Sequence, residues 1–246
     1  MTGAARLAAR AAARIGAGIT SLVVPSEAFA VYATAVESII VRPIKTSSDV
    51  VDLVNDRRSS AFLIGPGAGV NEVTRGQVVT LLAGEKPVVL DADAITVFQT
   101  DPNVLFSAIR GRCVLTPHEG EFARIFELVD NKIVATRTAA QRSGAIVVHK
   151  GAQTVIAAPD GRTIQNNNAP PTLATAGAGD VLAGIIVGLL AQGMETFLAT
   201  AAAVWIHGAA ASLFGVGLIA EDLPDLLPVV LRQFATQHAD VGIFAE

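Results

Sequence analysis

The sequence predicts an α/β fold of three layers, in which helices cover both faces of a mostly parallel central sheet. Short apolar runs alternate with helical patterns along the chain, and these runs lack a period of two, which is typical of strands buried on both faces. Polar or glycine-rich segments (GPGAG, DAD, TPH and HKG) follow several of the runs. In an open parallel sheet, such segments lie at the edge where ligands bind.

The first part of the chain begins with an Ala-rich helix, in which arginines recur every four residues as a solvated stripe. Ser26 caps a short helix, and Ser47 or Ser48 caps the helix that follows it. The predicted elements are a helix (3–17), a strand (19–25), a short helix (26–33), a strand (38–41) and a helix that ends at residue 55.

The rest of the chain repeats the alternation and ends in helices. The predicted elements are a strand with glycines after it (61–69), a helix (70–82), a strand and loop (87–95), a strand (113–115), a helix from near residue 118, a helix (132–142), a strand (145–151), a hairpin (153–165) and helices over 180–190, 195–213 and 222–234. Pro159, Asp160 and Gly161 form the hairpin turn. No repeat or Ser/Gly-rich linker divides the chain, so we predict one domain spanning residues 1–246.

The composition argues against several classes of protein. The net charge is −4 and no Lys/Arg cluster stands out, so nucleic acid is not expected as a partner. The single cysteine, Cys113, excludes an internal disulfide and a cysteine-based zinc site, and its apolar surroundings predict a buried thiol. The first residues alternate Arg with Ala and lack a continuous apolar core, so no signal peptide is expected and a cytoplasmic location is predicted.

Residues 181–214 form the most apolar stretch, interrupted by Glu195 and His207. A transmembrane hairpin is one interpretation of such a stretch. However, the segment is rich in Ala and Gly rather than Leu and Ile, and no basic flanks mark an orientation. We therefore favour buried helices of a large α/β core and expect no membrane partner.

The segment TLATAGAGDVLAGIIVGLLAQG (172–193) carries the strongest candidate site. Gly177 and Gly179 allow the backbone to turn tightly and bring several N–H groups together, and the helix that follows adds the positive end of its dipole. This arrangement binds an anion such as a phosphate. Asp180 is an unexpected neighbour, because a carboxylate repels an anion. The alternative is that Asp180 is the N-cap of the helix.

Three further segments contain candidate ligand-binding residues, each with a structural alternative. The GPGAG loop around Gly67 allows close approach of a ligand to the backbone, or it is an ordinary strand-to-helix turn. His118 lies near a helix start, where the positive field favours neutral imidazole; it binds a ligand, or it caps the helix or faces water. Lys150 with Thr154 forms a phosphate or ribose clamp, or the lysine is exposed at a hairpin corner.

Carboxylates at the strand ends add a possible metal function. Asp91 and Asp93 point the same way if the strand persists; they assist magnesium, or they cap the next helix. Glu121 interacts with the helix dipole or lies near a metal. The chain lacks the G-x-G-x-x-G dinucleotide fingerprint, the Walker A loop and the G-x-S-x-G elbow, so the classes of protein defined by these motifs are disfavoured.

With these segments assembled, the chain resembles the NAD(P)H-hydrate dehydratase family, a branch of the ribokinase-like superfamily, and the resemblance runs nearly end to end. TPHEGE together with LATAGAGDVLAG is more specific than the GxGD that ribokinase-like enzymes share. The resemblance implies a three-layer ribokinase-like fold. The matching blocks are TGAA (2–5), GPGAG (65–69), DADAI (91–95), TPHEGEFARI (116–125), HKGAQT (149–154), LATAGAGDVLAG (173–184) and GLIAEDLP (217–224).

The resemblance also implies a repair reaction. Members of the family dehydrate the 6S form of hydrated NADH or NADPH with Mg²⁺, and consume ADP in most bacterial members or ATP in eukaryotic ones. It implies that Asp180 is the catalytic base and that Gly177, Ala178 and Gly179 form the anion hole. Related bacterial enzymes are often tetramers, so a homo-oligomer is expected. The implied nucleotide-binding residues are Lys150, Gly151, Ala152, Gln153, Thr154 and Gly179, and the implied substrate-binding residues are Ala4, Gly67, His118 and Asp180.

The sequence departs from the family pattern in two places. Ala178 stands where Ser or Thr is more frequent, which removes a hydroxyl from the phosphate cradle. In the family, a first strand and a Gly-rich turn precede the TGAA block, and this sequence has no counterpart to them. It also has no counterpart to the epimerase domain of many bacterial relatives.

Two alternative functions stay open: a kinase for a vitamin-precursor alcohol such as hydroxyethylthiazole or pyridoxal, and a non-catalytic nucleotide-binding protein. The TPHEGE block favours the dehydratase.

Overall fold

The computed structural model describes residues 2–238. Strands and helices alternate as the sequence predicts. The strands are β1 (Ser21–Pro25), β2 (Ile40–Ile44), β3 (Phe62–Ile64), β4 (Val88–Leu90), β5 (Cys113–Leu115), β6 (Ile146–His149), β7 (Thr154–Ala157) and β8 (Thr163–Asn166). The α-helices are α1 (Thr2–Arg14), α2 (Phe29–Ala33), α3 (Ser47–Asn55), α4 (Glu72–Leu82), α5 (Asp93–Thr96), α6 (Pro102–Ala108), α7 (Glu119–Ile125), α8 (Lys132–Ser143), α9 (Ala178–Ala191), α10 (Thr196–Phe214) and α11 (Leu223–His238).

The central sheet has six strands in the order β3-β4-β5-β6-β7-β8. The first four are parallel, and β7 and β8 continue the sheet as the predicted antiparallel hairpin. Strands β1 and β2 pair in parallel with each other and form a separate two-stranded sheet, so the expectation of a single sheet is wrong for them. Strand β1 buries only every second residue, Leu22 and Val24, because one of its faces is exposed.

Helices cover both faces of the central sheet, which confirms the three-layer prediction. Val89, Val114 and Val148 pack on one face in a cluster that includes residues of α9, α10 and α11. Their neighbours Leu90 and Leu115 pack on the other face with residues of α4–α8. Successive strand residues therefore enter opposite cores, which is why β4–β7 consist of buried residues throughout.

Several helix ends differ from the prediction by a few residues. Helix α1 ends at Arg14, and α9 begins at Ala178 rather than at Asp180. Helix α3 is capped by Thr46 instead of Ser47 or Ser48. Thr46 and Asp49 form a capping box, in which each side chain accepts from the backbone of the other residue, and this satisfies more amides than a lone serine would.

Helix α10 is long and apolar enough to cross a membrane by length and composition, with a mean hydropathy of 1.6 over its most apolar window. In the folded chain 56% of that window is buried, and the helix packs against α9, α11 and strands β5–β8. This is the environment of a core helix, and it accounts for the apolar stretch without a membrane.

Helix α1 packs against α9 in close backbone contact. A methyl group at Gly184 would collide with the backbone of Ala8, and one at Gly188 would collide with Ile15. The two glycines lie four residues apart on α9 and face the small residues of α1. The contact places the first turns of α1 beside the start of α9, because a methyl group at Gly177 would lie 2.8 Å from Cδ1 of Leu7.

Candidate active site

The polar residues that follow parallel strands meet at one edge of the sheet, as the sequence predicts. Asp91, after β4, is 2% exposed and accepts hydrogen bonds from Thr116 Oγ1 at 2.7 Å and from Lys150 Nζ at 2.8 Å. Thr116 follows β5, and Lys150 follows β6. The ends of three neighbouring strands are thus joined by one buried hydrogen-bonded group.

Lys150 is largely but not fully buried and is not exposed at a hairpin corner, so that alternative is wrong. Its side chain is 16% exposed, and Nζ lies 3.9 Å from Glu121 Oε2 in addition to its contact with Asp91. Burial alone lowers the pKa of Lys150, but the carboxylates of Asp91 and Glu121 reverse this effect and hold the pKa above its ordinary value. The ammonium group also lies over the start of α9, since a methyl group at Gly179 would be 3.2 Å from Nζ.

The start of α9 has no side-chain cap. Gly177 is the N-cap in a left-handed conformation, with φ of 91°, which glycine adopts without a steric cost. The amide of Ala178, one of the predicted anion-hole residues, donates to the carbonyl of Thr175 at 3.3 Å. Within residues 2–238 the amides of Gly179 and Asp180 have no acceptor. The first turn therefore leaves donors open at the sheet edge.

Asp180 is the third residue of α9 and does not cap it, so the N-cap alternative is wrong. Its half-buried carboxylate makes no hydrogen bond or ion pair to any residue in the described part of the chain. Burial raises the pKa of Asp180 to about 6; the charge of Asp91 adds to this rise, and Lys150 opposes it. The result is an unpaired carboxyl group that changes protonation state close to neutral pH.

The start of α7 is closed by its own side chains. His118 is the N-cap, and its Nδ1 accepts from the amides of Gly120 and Glu121, while Glu121 Oε2 accepts from the amide of His118 at 2.9 Å. His118 therefore caps the helix, and Glu121 interacts with its first turn, as one alternative for each residue predicts. Because Nδ1 is an acceptor here, the neutral imidazole carries its proton on Nε2. The side chain of His118 is 57% exposed, and its Nε2 lies 3.4 Å from Glu121 Oε1.

The two aspartates of the DAD segment do not point the same way, which corrects the prediction. Strand β4 ends at Leu90 and α5 begins at Asp93. Between the aspartates, Ala92 has φ of 47°, so the chain turns sharply. Asp91 therefore reaches Lys150, whereas Asp93 Oδ2 accepts from the amide of Gly69 at 2.8 Å.

This geometry is found in a chain whose sequence matches a known family. The family model described as NAD(P)H-hydrate dehydratase matches residues 1–227. The chain belongs to this family. An ADP-dependent (S)-NAD(P)H-hydrate dehydratase of Neisseria meningitidis is 40% identical over 228 residues, covering 87% of this chain and 73% of that protein. The chain spans about half the length of the bifunctional NAD(P)H-hydrate repair enzymes that it also matches, 46% and 47% in two cases.

Solved structures agree with the family assignment. The ADP/ATP-dependent NAD(P)H-hydrate dehydratase of Bacillus subtilis, co-crystallised with ATP and Mg²⁺, has a TM-score of 0.83 and 30% identity, covering 95% of this chain and 86% of that one. A ribokinase-like superfamily protein of Enterococcus faecalis has a TM-score of 0.84 at 24% identity, covering 94% of this chain and 83% of that one, which shows the fold alone. The ribokinase-like fold expected from the sequence is thereby confirmed.

The remaining residues that the family resemblance implied lie on three separate elements. Gly67 belongs to the loop after β3, whose Gly65 is held against the backbone of Asp91, since a methyl group there would collide with the Asp91 carbonyl. Ala4 lies on the first turns of α1, beside the start of α9. The implied nucleotide-binding residues 150–154 form the turn between β6 and β7, where Thr154 Oγ1 donates to the carbonyl of Gly151 at 3.1 Å.

Sequence reasoning missed two buried histidines near the site. His149 is 1% exposed; its ring stacks on Phe122 with centroids 4.0 Å apart, and Nε2 lies 2.9 Å from Glu119 Oε2. His207, on α10, is 6% exposed, and its Nε2 has no hydrogen-bond partner within residues 2–238. The sequence did hold a signal for His207, because it is the only titratable residue of an otherwise apolar helix.

Proposed function

We propose that this chain catalyses the ADP-dependent dehydration of the 6S form of hydrated NADH or NADPH, yielding NADH or NADPH, AMP and phosphate. ATP is the alternative phosphoryl donor. The observation that carries the proposal is the unpaired carboxylate of Asp180, which lies beside open backbone amides and a buried lysine. Membership in the family and the names of the relatives support the choice of substrate.

The first step is phosphoryl transfer to the hydroxyl group of the hydrate. Hydroxide is a poor leaving group, whereas phosphate leaves readily. Asp180 accepts the hydroxyl proton while the oxygen attacks the terminal phosphorus of ADP, and the bond from that phosphorus to the bridging oxygen breaks to release AMP. The phosphate ester then eliminates phosphate together with the proton on the neighbouring ring carbon, which restores the double bond of the reduced nicotinamide.

The pKa of Asp180 suits this role. A general base works best when its pKa lies near the operating pH, and burial raises the pKa of Asp180 to about 6. The amides of Gly179 and Asp180 and the dipole of α9 stabilise the charge that spreads over the phosphoryl oxygens. Lys150 adds a positive charge at the same place.

We assign the other positions by family resemblance. The turn of residues 150–154 contacts the AMP part of the nucleotide, and Ala4, Gly67 and His118 contact the hydrated nicotinamide. The Nε2–H of His118 lies on an exposed ring beside Glu121 Oε1 and is suited to a substrate oxygen. The same resemblance suggests a homotetramer in the cytoplasm. Exposed Leu198 and Trp205 on α10 are apolar residues that a subunit interface would cover.

Magnesium fits the site as a companion of the nucleotide. Residues 2–238 hold no group of three or more His, Cys, Asp or Glu side chains arranged to bind a metal ion. Mg²⁺ is commonly bound through one or two carboxylates together with phosphate oxygens and water. Asp91, Glu121 and Asp180 are the carboxylates that face Lys150, and one or two of them would hold the ion together with phosphate oxygens of the nucleotide; its chemistry there would be to neutralise phosphate charge.

The test is an assay with hydrated NADH, ADP and Mg²⁺, followed by the return of near-ultraviolet absorbance of the reduced ring. The wild-type chain should restore the absorbance and release AMP and phosphate. D180N should lower turnover by about 1000-fold, because it keeps the shape but removes the base. Binding of ADP should survive in this variant.

Three results would contradict the proposal. Absence of recovery with both ADP and ATP would remove the dehydratase reaction. A stable phosphorylated product from a vitamin-precursor alcohol would indicate the kinase instead. Unchanged turnover in D180N would show that another group is the base.

A further inference from the structure

Lys132 occupies a position where a lysine is costly. It is the first residue of α8, where the positive end of the helix dipole disfavours a cation. The residue is also half-buried, and burial lowers the pKa of Lys132, although the charge of Glu119 opposes this effect. Asn131 already caps the helix, because its side chain accepts from the amides of Ile133 and Val134. The first turn of α8 therefore does not need the lysine.

What the lysine adds is a contact with the turn between β6 and β7. Lys132 Nζ donates to the carbonyl of Lys150 at 3.0 Å. The ammonium group lies directly against the turn, since a methyl group at Gly151 would be 2.7 Å from Nζ. Residue 150 is thereby held at three points, because its amide also donates to the carbonyl of Pro117 at 2.9 Å and its side chain to Asp91.

The carbonyl groups at the start of this turn are occupied, whereas its amides are open. Besides the carbonyl of Lys150, that of Gly151 accepts from Thr154 Oγ1 at 3.1 Å. In the part of the chain that the structure describes, the amides of Gly151, Ala152 and Gln153 have no acceptor, and these three residues are exposed. Successive open amides attract anionic groups. The turn therefore presents hydrogen-bond donors to a ligand.

The contact with Lys132 fixes the direction of one of these amides. In a planar trans peptide, the C=O of Lys150 and the N–H of Gly151 point in opposite directions. The carbonyl points to Lys132 at the start of α8, so the amide of Gly151 points away from α8, which packs on the opposite face of the sheet from α9. A hydrogen bond from an ammonium group also polarises the peptide group and strengthens its N–H as a donor.

We propose that Lys132 is a positioning residue that holds the Lys150–Gly151 peptide group, so that the amide of Gly151 is directed at a bound nucleotide. That the turn meets the AMP part of the nucleotide rests on the proposed function above. The effect on binding does not depend on the reaction, because AMP, which donates no phosphoryl group there, would meet the same amide.

Two substitutions of Lys132 and one of Lys86 test the proposal. K132M removes the donor and keeps an apolar side chain, whereas K132R keeps a donor. Lys86 is the matched control, because its Nζ also donates to backbone carbonyls, those of Val54 and Asp56. It precedes β4, whereas Asp91 follows that strand, so Lys86 lies at the edge of the sheet away from the site.

The expected loss is confined to the nucleotide. K132M should raise KM for ADP and weaken the affinity for both ADP and AMP about tenfold, as expected for one lost hydrogen bond to a charged group. Its kcat and its KM for the hydrate should stay within about threefold of the wild type, because the turn acts on the nucleotide. K132R should also stay within about threefold, and K86M should lower Tm without changing either affinity. Kinetics, calorimetry and thermal unfolding measure these quantities.

The outcomes are separable. Unchanged nucleotide affinity in K132M would overturn the proposal, and so would equal losses of affinity in K132M and K132R or in K132M and K86M. A loss confined to ADP would place Lys132 at the terminal phosphate and overturn it as well. If the wild type binds ADP and AMP but does not dehydrate the hydrate, the proposed function fails, and weaker binding of both nucleotides in K132M alone still supports the positioning role. A wild type that binds neither nucleotide overturns it.

Discussion

Helices α7 and α9 both begin beside the ammonium group of Lys150, but their first turns are built in opposite ways. At α7, the side chains of His118 and Glu121 close a capping box around the first amides. At α9, Gly177 is the N-cap and has no side chain that could accept from the first amides, and the amide of Gly179 has no acceptor among the described residues. A closed terminus stabilises the fold, whereas an open one is stabilised only when an anion binds.

The largest difference expected between the two termini comes from the glycine at the second position of each helix. In G179A the new methyl group would lie 3.2 Å from Lys150 Nζ, in the space that a phosphoryl group must enter, so kcat should fall about 100-fold. G120A is the matched substitution in α7. Its methyl group meets only the ring of His118, 3.0 Å from Cε1, so its effect on kcat should stay below about tenfold.

Steady-state kinetics with ADP would make this comparison, and G76A is the control. Gly76 lies in α4, and a methyl group there meets nothing within 4 Å. Its activity should match the wild type. Equal losses of kcat in G179A and G120A would show that the start of α9 contributes no more to the reaction than the start of α7 does.

The pH profile of kcat is expected to show the ionisation of Asp180 at the start of α9. Asp180 must be deprotonated to accept a proton, and its pKa is raised to about 6. Below that pH the rate should fall about tenfold per pH unit, because the fraction of carboxylate falls by that factor. Measurement of kcat from mildly acidic to neutral pH checks this. A rate that stays constant through pH 6 would remove Asp180 as the base, and the residual rate of D180N should lack the inflection.

Substitutions of His118 distinguish its role as the helix N-cap from its proposed contact with the substrate. H118A should lower the free energy of unfolding by about 1 kcal/mol, whereas H118N should preserve stability, because Asn is a good N-cap. Both variants lack the Nε2–H, so KM for the hydrate should rise about threefold in each, as expected for one lost neutral hydrogen bond. Thermal unfolding and kinetics measure the two effects. An unchanged KM in H118N would leave His118 with a capping role alone.

The smallest expected effect is a gain in stability. The pKa of Asp180 is raised from 3.8 to about 6 in the folded chain, so the folded state favours the protonated form and stability is lost as pH rises between these values. At neutral pH, D180N should raise the free energy of unfolding by about 1 kcal/mol, after allowance for solvent screening of the half-buried carboxylate.

Thermal unfolding at two pH values checks this gain. At neutral pH the Tm of D180N should exceed that of the wild type by about 2–4 °C for a chain of this size. The difference should shrink below about pH 4, where the wild-type carboxyl group is protonated in both states. A lower Tm in D180N at neutral pH would mean that the carboxylate has a stabilising partner.

The sequence predicts the fold better than it predicts the details of the site. Alternation of apolar runs and helices gives the layers and the hairpin, because these depend on local patterns. The separation of β1 and β2 from the other strands depends on which strands pair, and no local pattern encodes this. The burial of Lys150 likewise requires Asp91, which lies 59 residues away in sequence.

The candidate residues show the same limit. The open turn at Gly177 could be predicted, because it follows from glycine spacing. That the Ala178 amide binds the carbonyl of Thr175 could not, because it depends on the exact path of the turn. His207 lies in the core with its Nε2 unpartnered within residues 2–238, whereas periodicity shows only that residue 207 faces the core.

The glycine contact between α1 and α9 also links two residues of the candidate site. With no side chain at Gly184, the backbone of α9 lies directly against that of Ala8 on α1. Ala4 of α1 and Asp180 of α9 therefore lie on two helices in direct backbone contact. A side chain at position 184 would push these helices apart and shift Ala4 relative to Asp180, although neither residue is itself changed.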